Sequence, residues 1–130
     1  GLNTTAVHGH AALFGVYGIL GIGLMLFCLR GLYPDYKWND KLIGTAFWSI
    51  NIGLFLMVTI SVLPIGILQA HESITKAYWS ARSADFLQQD FMQVIRWMRM
   101  PGDILLGLGE VLLVVFIFGL QFGWSRKEKR

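Results

Sequence analysis

His8 and His10 stand on either side of one glycine in "VHGHAALFGVYG", and of all the residues in this chain they are the best placed to do chemistry. On an α-helix two residues turn the direction by about 200°, so the two rings point to opposite sides. One ion cannot readily be held by both while the helix stays intact, because a helical two-histidine metal site needs an i, i+4 spacing on one face. The spacing suits a helix standing between two flat cofactors, with each imidazole reaching a different iron and Gly9 letting the macrocycles approach the backbone. The other use of such a pair is to bond neighbouring helices or water at an interface. Polar groups inside lipid are costly and tend to be functional, which weighs toward the first use. Gly15, Gly18 and Gly21 thin the same helix, either for macrocycle edges or for neighbouring helices.

The elements that must position these residues are set by where charge is missing. The chain is 55% hydrophobic and 15% charged, and no charged residue occurs from Gly1 to Leu29 or from Leu42 to His71. Glu110 is the single charge between Ile104 and Ser125. A bilayer core about 30 Å thick needs roughly 20 apolar residues, and all three stretches reach that length. We therefore expect an all-α integral membrane bundle, with transmembrane helices at about 5–29, 42–70 and 102–124. The whole chain, 1–130, reads as the C-terminal part of a single membrane domain. The first stretch is not a signal peptide, since it lacks a basic start and is too long for an h-region. The chain begins without Met, and three helices bury little of their polar faces, so it reads as a piece of a longer parent whose upstream helices complete it.

Two connections join the spans. "GLYPDYKWND" carries turn formers and three aromatics suited to a membrane boundary and reads as a simple connector. The longer outer connection, 71–101, contains "SADFLQQDFMQVIRWMRM". There Phe86, Leu87, Phe91, Val94, Ile95 and Met98 fall near one side of a helix, opposite Gln88, Gln89 and Gln93. We expect one amphipathic helix there, lying at the outer interface or covering part of the protein. The short loop and the tail share one side and hold seven of the eleven Lys and Arg residues, which predicts a cytoplasmic tail and places both histidines near the outer face. Pro64 supplies a cause for a kink in the second helix. Its Ser49, Asn51, Thr59 and Ser61 read as groups that bond between helices.

Other chemistries are bounded by what the sequence lacks. One cysteine, Cys28, excludes an internal disulfide, and no C-x-x-C-H is present to attach a c-type haem. The net charge of +3 comes largely from Arg126, Lys127, Lys129 and Arg130; in a membrane protein such a cluster reports orientation, not nucleic acid binding.

Together "VHGHAALFGVYG", "YWSARSADFL" and "RWMRMPGD" resemble the C-terminal three helices of the catalytic chain of bacterial nitric oxide reductases, in the haem–copper oxidase superfamily. The "W-x-A-R-S…M-Q…R-W-x-R-x-P-G-D" run is more similar to the quinol-dependent, single-chain type, and the resemblance covers nearly the whole chain. It implies that His8 is the axial ligand of the high-spin haem b3 and His10 an axial ligand of the low-spin haem b. It also implies the reaction 2 NO + 2 e⁻ + 2 H⁺ → N₂O + H₂O, with quinol as donor, in the bacterial inner (cytoplasmic) membrane. A homodimer is compatible with it. The non-haem iron, its three histidines, the second ligand of haem b and the family's catalytic glutamates belong upstream in the parent, so this segment alone should be inactive. Competing readings are a cbb3-type oxygen reductase, which also uses a His-x-His helix, and a non-catalytic membrane haem-b anchor or transporter half.

Two further residues follow from the motifs. Arg82, Arg96 and Arg99 lie on the outer side, where haem propionates would emerge; each can instead snorkel to the interface, and for holding a propionate Arg82 is favoured because it sits in the family-like "ARS". Asp103 follows Pro101 and Gly102 at the start of the third helix, where its carboxylate can cap free N–H groups. The resemblance instead makes it a quinol-binding residue; Glu110, about 10 Å deeper on the same face, either extends a polar path or serves helix packing.

Overall fold

Charge-free stretches have become long helices. The computed structural model describes residues 2–34, 36–123 and 126–128. Helix α1 runs Asn3–Leu32 and α2 runs Asp40–Thr75, while the third hydrophobic stretch is divided into α4, Asp90–Trp97, and α5, Met100–Phe122. At about 1.5 Å per residue each long helix exceeds the roughly 30 Å of a hydrocarbon core, so all three are long enough to cross it. The helices begin and end within a few residues of the expected bounds; Trp124, the expected end of the third, lies outside the described residues.

Two segments depart from α geometry. Gly9–Gly18 in α1 and Met57–Val62 in α2 are wound as π-helix, with the wider i→i+5 hydrogen bonding that often marks functional positions. Pro64 stands two residues after the second segment and has no N–H to give the carbonyl four residues back, so the irregular winding sits where the sequence placed a cause for a kink.

Helices α2 and α5 form the central pair. They meet along glycines: a Cβ on Gly102 would lie 2.7 Å from Met57 N, and one on Gly109 would lie 2.7 Å from Ile50 N. With no side chain between them the backbones approach closely, as small residues allow in membrane bundles. Ala46, Ile50 and Leu113 are buried here, and Phe14, Ile22 and Leu26 of α1 pack against them. Leu54, Met57 and Val62 form the next layer toward the other end, covered by Ala6, Val7, Phe14 and Ile19. Helix α1 thus lies across the α2–α5 pair, yet none of its described residues is buried. Leu13, Val16, Tyr17, Leu20, Leu24 and Phe27 are all exposed, an apolar face suited to lipid or to further helices.

The connection 71–101 differs from the single amphipathic helix expected. A 3-10 turn, Ser80–Arg82, leads to a short helix α3, Ala84–Leu87, capped by the Ser83 hydroxyl accepting from Phe86 N at 3.3 Å. The chain then breaks at Gln88 and Gln89 before α4. The buried face of α4 is Met92 and Ile95 against Ile65, while Phe91, Val94 and Met98 are exposed. Apolar residues lie on two sides of α4: of the expected apolar face Ile95 is buried, with Phe86 and Leu87 packed against the same cluster, while Phe91, Val94 and Met98 stay exposed, and Met92 joins the buried side from outside that face. At the opposite end of the bundle Asn39 caps α2, accepting from Leu42 N at 3.3 Å. Gly123 closes α5 with φ 91°, a left-handed conformation that glycine adopts without strain. Strand β1, Tyr36–Trp38, pairs antiparallel with β2, Arg126–Glu128, so the short loop and the tail occupy the same end. That two-stranded ladder was not anticipated.

Candidate functional site

His8 is the last residue of the α-helical start of α1, and His10 the second residue of the π-helical stretch. The wider winding turns the chain by less than the about 100° per residue of an α-helix, which brings the turn across two residues from about 200° closer to a half-turn, so the two positions face opposite sides of the helix. Their surroundings differ: His8 is exposed, whereas His10 is half-buried. His10 Nδ1 lies 2.8 Å from the Ala6 carbonyl oxygen. A carbonyl only accepts, so Nδ1 carries a proton and donates, and in the neutral ring this tautomer keeps the lone pair on Nε2. This orienting bond is the arrangement that metal-ligating histidines use to fix the ring and tautomer. A Cβ on Gly9 would meet nothing within 4 Å, so the helix is open beside both rings. Among the described residues no group of three His, Cys, Asp or Glu side chains comes together. The donor set is therefore two single imidazoles on an open helix, which fits axial ligation of two flat macrocycles and does not fit a compact metal centre.

One buried side chain fixes the end of the helix that carries them. Gln69 of α2 accepts from Asn3 N at 2.7 Å and donates through Nε2 to the Ala81 carbonyl at 3.1 Å. It satisfies an otherwise orphaned N–H in the first turn of α1 and ties α1, α2 and the connection 71–101 together. Nearby, Glu72 accepts from Ser80 Oγ at 2.7 Å and lies 3.0 Å from Lys76 Nζ. Neither Gln69 nor Glu72 was singled out from the sequence. The signal available was a glutamine and a glutamate at the end of an apolar helix, but their partners are distant or in an irregular turn.

Two hollows flank this end. The inner one, about 270 Å³, is lined by Asn3, Ala6, Ser61, Gln69, Arg96 and Arg99 among others. It reaches Ala6, whose carbonyl orients His10, and its polar lining includes the buried Ser61 and Gln69. The outer cleft, about 280 Å³, is lined by Arg96, Trp97, Arg99, Met100 and Asp103. Arg96 and Arg99 line both. Arg82 is elsewhere: it is exposed, with its guanidinium 5.6 Å from the Tyr78 ring centre and 5.5 Å from that of Trp79. The structure therefore brings Arg96 and Arg99 to the foot of α1 and does not bring Arg82 there.

Asp103 is not a helix cap. Helix α5 starts three residues earlier at Met100, its N-cap position Arg99 makes no side-chain cap bond, and Asp103 N donates to the Arg99 carbonyl at 3.1 Å. The Asp103 carboxylate instead accepts from Arg99 Nε, at 3.0 Å to Oδ1 and 2.7 Å to Oδ2. The capping expectation fails because the helical winding continues back through Pro101, which is favourable in a first turn. Glu110, seven residues on, is exposed near the middle of α5.

Comparison with known proteins supplies a family. A search of the curated proteins returned no match. A model of one family, described as cytochrome c and quinol oxidase polypeptide I, matches residues 1–105, a span that contains both histidines, the Gln69 junction and Asp103. This chain, with three helices long and apolar enough to cross a membrane, belongs to the cytochrome c and quinol oxidase polypeptide I family, the subunit I family of haem–copper oxidases.

Proposed function

We propose that this chain is the haem-binding C-terminal segment of a respiratory nitric oxide reductase that reduces two NO to N₂O with electrons from quinol. The observation that carries the haem part is the held imidazole of His10, with Nδ1 on the Ala6 carbonyl and, in the neutral ring, the lone pair on Nε2, on an open-sided helix. His10 would be an axial ligand of haem b and His8 of haem b3. When bound, haem b would supply electron transfer, and haem b3 with a non-haem iron would supply the bond chemistry of NO. The residues of this chain orient and separate the two ligands, and Gln69 fixes the helix end that carries them. Arg96, which lines the hollow at the foot of α1, would hold a propionate carboxylate through its planar fork. Asp103 would accept a hydrogen bond from a quinol hydroxyl, and then its proton, in the outer cleft.

The preference for NO and quinol rests on the "ARS" and "MPGD" motifs, and oxygen reduction of the cbb3 type is the competing reading within the same family. Purified parent protein decides it. NO consumption driven by quinol, with two haem populations in the reduced-minus-oxidised spectrum, is expected; oxygen consumption without NO turnover would favour the oxygen reductase. For the quinol site, Asp103→Asn should slow quinol-driven turnover and spare turnover with an artificial donor that reduces haem b directly. Equal loss with both donors, or no loss with either, would remove Asp103 from the quinol site.

A further inference from the structure

We infer that Arg99 is the positioning residue of the Asp103 carboxylate, setting how it meets the quinol hydroxyl; this rests on the quinol reading above. Arg99 Nε lies within hydrogen-bond distance of both carboxylate oxygens, 3.0 Å from Oδ1 and 2.7 Å from Oδ2, across one helical turn. The terminal torsion of an unheld aspartate is broad, so this grip selects one orientation from many. An ionised carboxylate offers about four lone-pair sites, and a single guanidinium donor leaves sites to accept a hydroxyl. Both partners are part-exposed, 42% and 39%, and both line the same cleft of about 280 Å³. The flat indole of Trp97 lines that cleft as well, so ring-shaped apolar surface and a held acceptor occur together.

The position of Arg99 is itself constrained. It stands in the turn between α4 and α5 and also lines the inner cavity with Asn3, Ser61 and Gln69. Arg99, like Arg96, lines both the cleft that holds Asp103 and the cavity that reaches the foot of α1. A lysine would keep the charge but lose the planar guanidinium whose Nε reaches both oxygens. The role is in binding geometry, so it differs from simple charge balance in a measurable way.

The test uses the full-length holoenzyme and compares Arg99→Lys, Arg99→Gln, Asp103→Asn and the double variant Arg99→Gln/Asp103→Asn. Haem spectra of each verify folding and cofactor content. For Arg99→Lys the KM for quinol should rise roughly tenfold, equivalent to about 1.4 kcal/mol, with a smaller change in kcat and with artificial-donor turnover retained. The double variant should be no worse with quinol than Asp103→Asn alone, because the two residues act as one unit. Additive losses, or an unchanged KM in Arg99→Lys while Asp103→Asn is impaired, would overturn the role of Arg99 and leave the quinol site standing. Loss of haem in Arg99→Lys would also overturn it. No effect of Asp103→Asn on quinol turnover would overturn both the quinol reading and this inference.

Discussion

Replacing Gly109 with alanine should separate the central helices. A Cβ there would lie 2.7 Å from Ile50 N, 2.7 Å from Ile50 Cγ1 and 2.9 Å from the Ala46 carbonyl oxygen. Ordinary contact begins at 3.4 Å, and two of these neighbours are backbone that cannot rotate aside. The helices must move apart by something on the order of half an ångström, at an overpacking cost of about 1–3 kcal/mol. Alanine also gains up to about 1 kcal/mol in helix propensity over glycine, which would mask part of the loss. Gly107→Ala supplies the control: it makes the same change two residues away, where a Cβ meets nothing within 4 Å. The difference between the two variants isolates the clash. Unfolding of the full-length protein in mixed micelles, followed by helical circular dichroism, should place Gly109→Ala below Gly107→Ala by that margin. Equal stability of the two would refute the close backbone seam between α2 and α5.

Other consequences concern the end of the bundle that carries the histidines. Gln69→Leu leaves Asn3 N and the Ala81 carbonyl without their partner and should destabilise by about 1–3 kcal/mol for each group that stays buried; faster hydrogen exchange at Asn3–His8 is the readout. Slow exchange there would show that Gln69 does not hold α1. Arg96→Ala should lower the potential of a haem more than Arg82→Ala does, because Arg96 lines the cavity at the foot of α1 and Arg82 rests on Tyr78 and Trp79. The reverse order, measured by redox titration, would return the propionate to Arg82.

Much of the architecture was legible because transmembrane helices follow from one local quantity, the length of a charge-free run. Gly1–Leu29 and Leu42–His71 show it directly, and the structure extends the helices only a few residues beyond. Sidedness was legible in part: an odd number of spans puts loop and tail at one end, and the β1–β2 pairing joins them there. What the sequence did not reveal depends on distant partners. Glycines in α1 drew notice, yet the close seam uses Gly53, Gly102 and Gly109, since which glycine meets another backbone is decided by tertiary packing. In α4 the pattern suited two faces, and only packing against Ile65 decides for Met92 and Ile95. His8 and His10 stood out by type and spacing alone. The Ala6 bond that orients His10 is local in sequence, and the helical i−4 offset was the signal for it.

The central claim is that one helix carries axial ligands for two different haems, and reduced-minus-oxidised spectra of His8→Ala and His10→Ala in the full-length parent test it most directly. His8→Ala should lose the high-spin, NO-reactive haem and retain the low-spin one, whereas His10→Ala should lose the low-spin haem. If both variants lost the same haem, or if both kept two intact haems, the two-haem account of this helix would be contradicted.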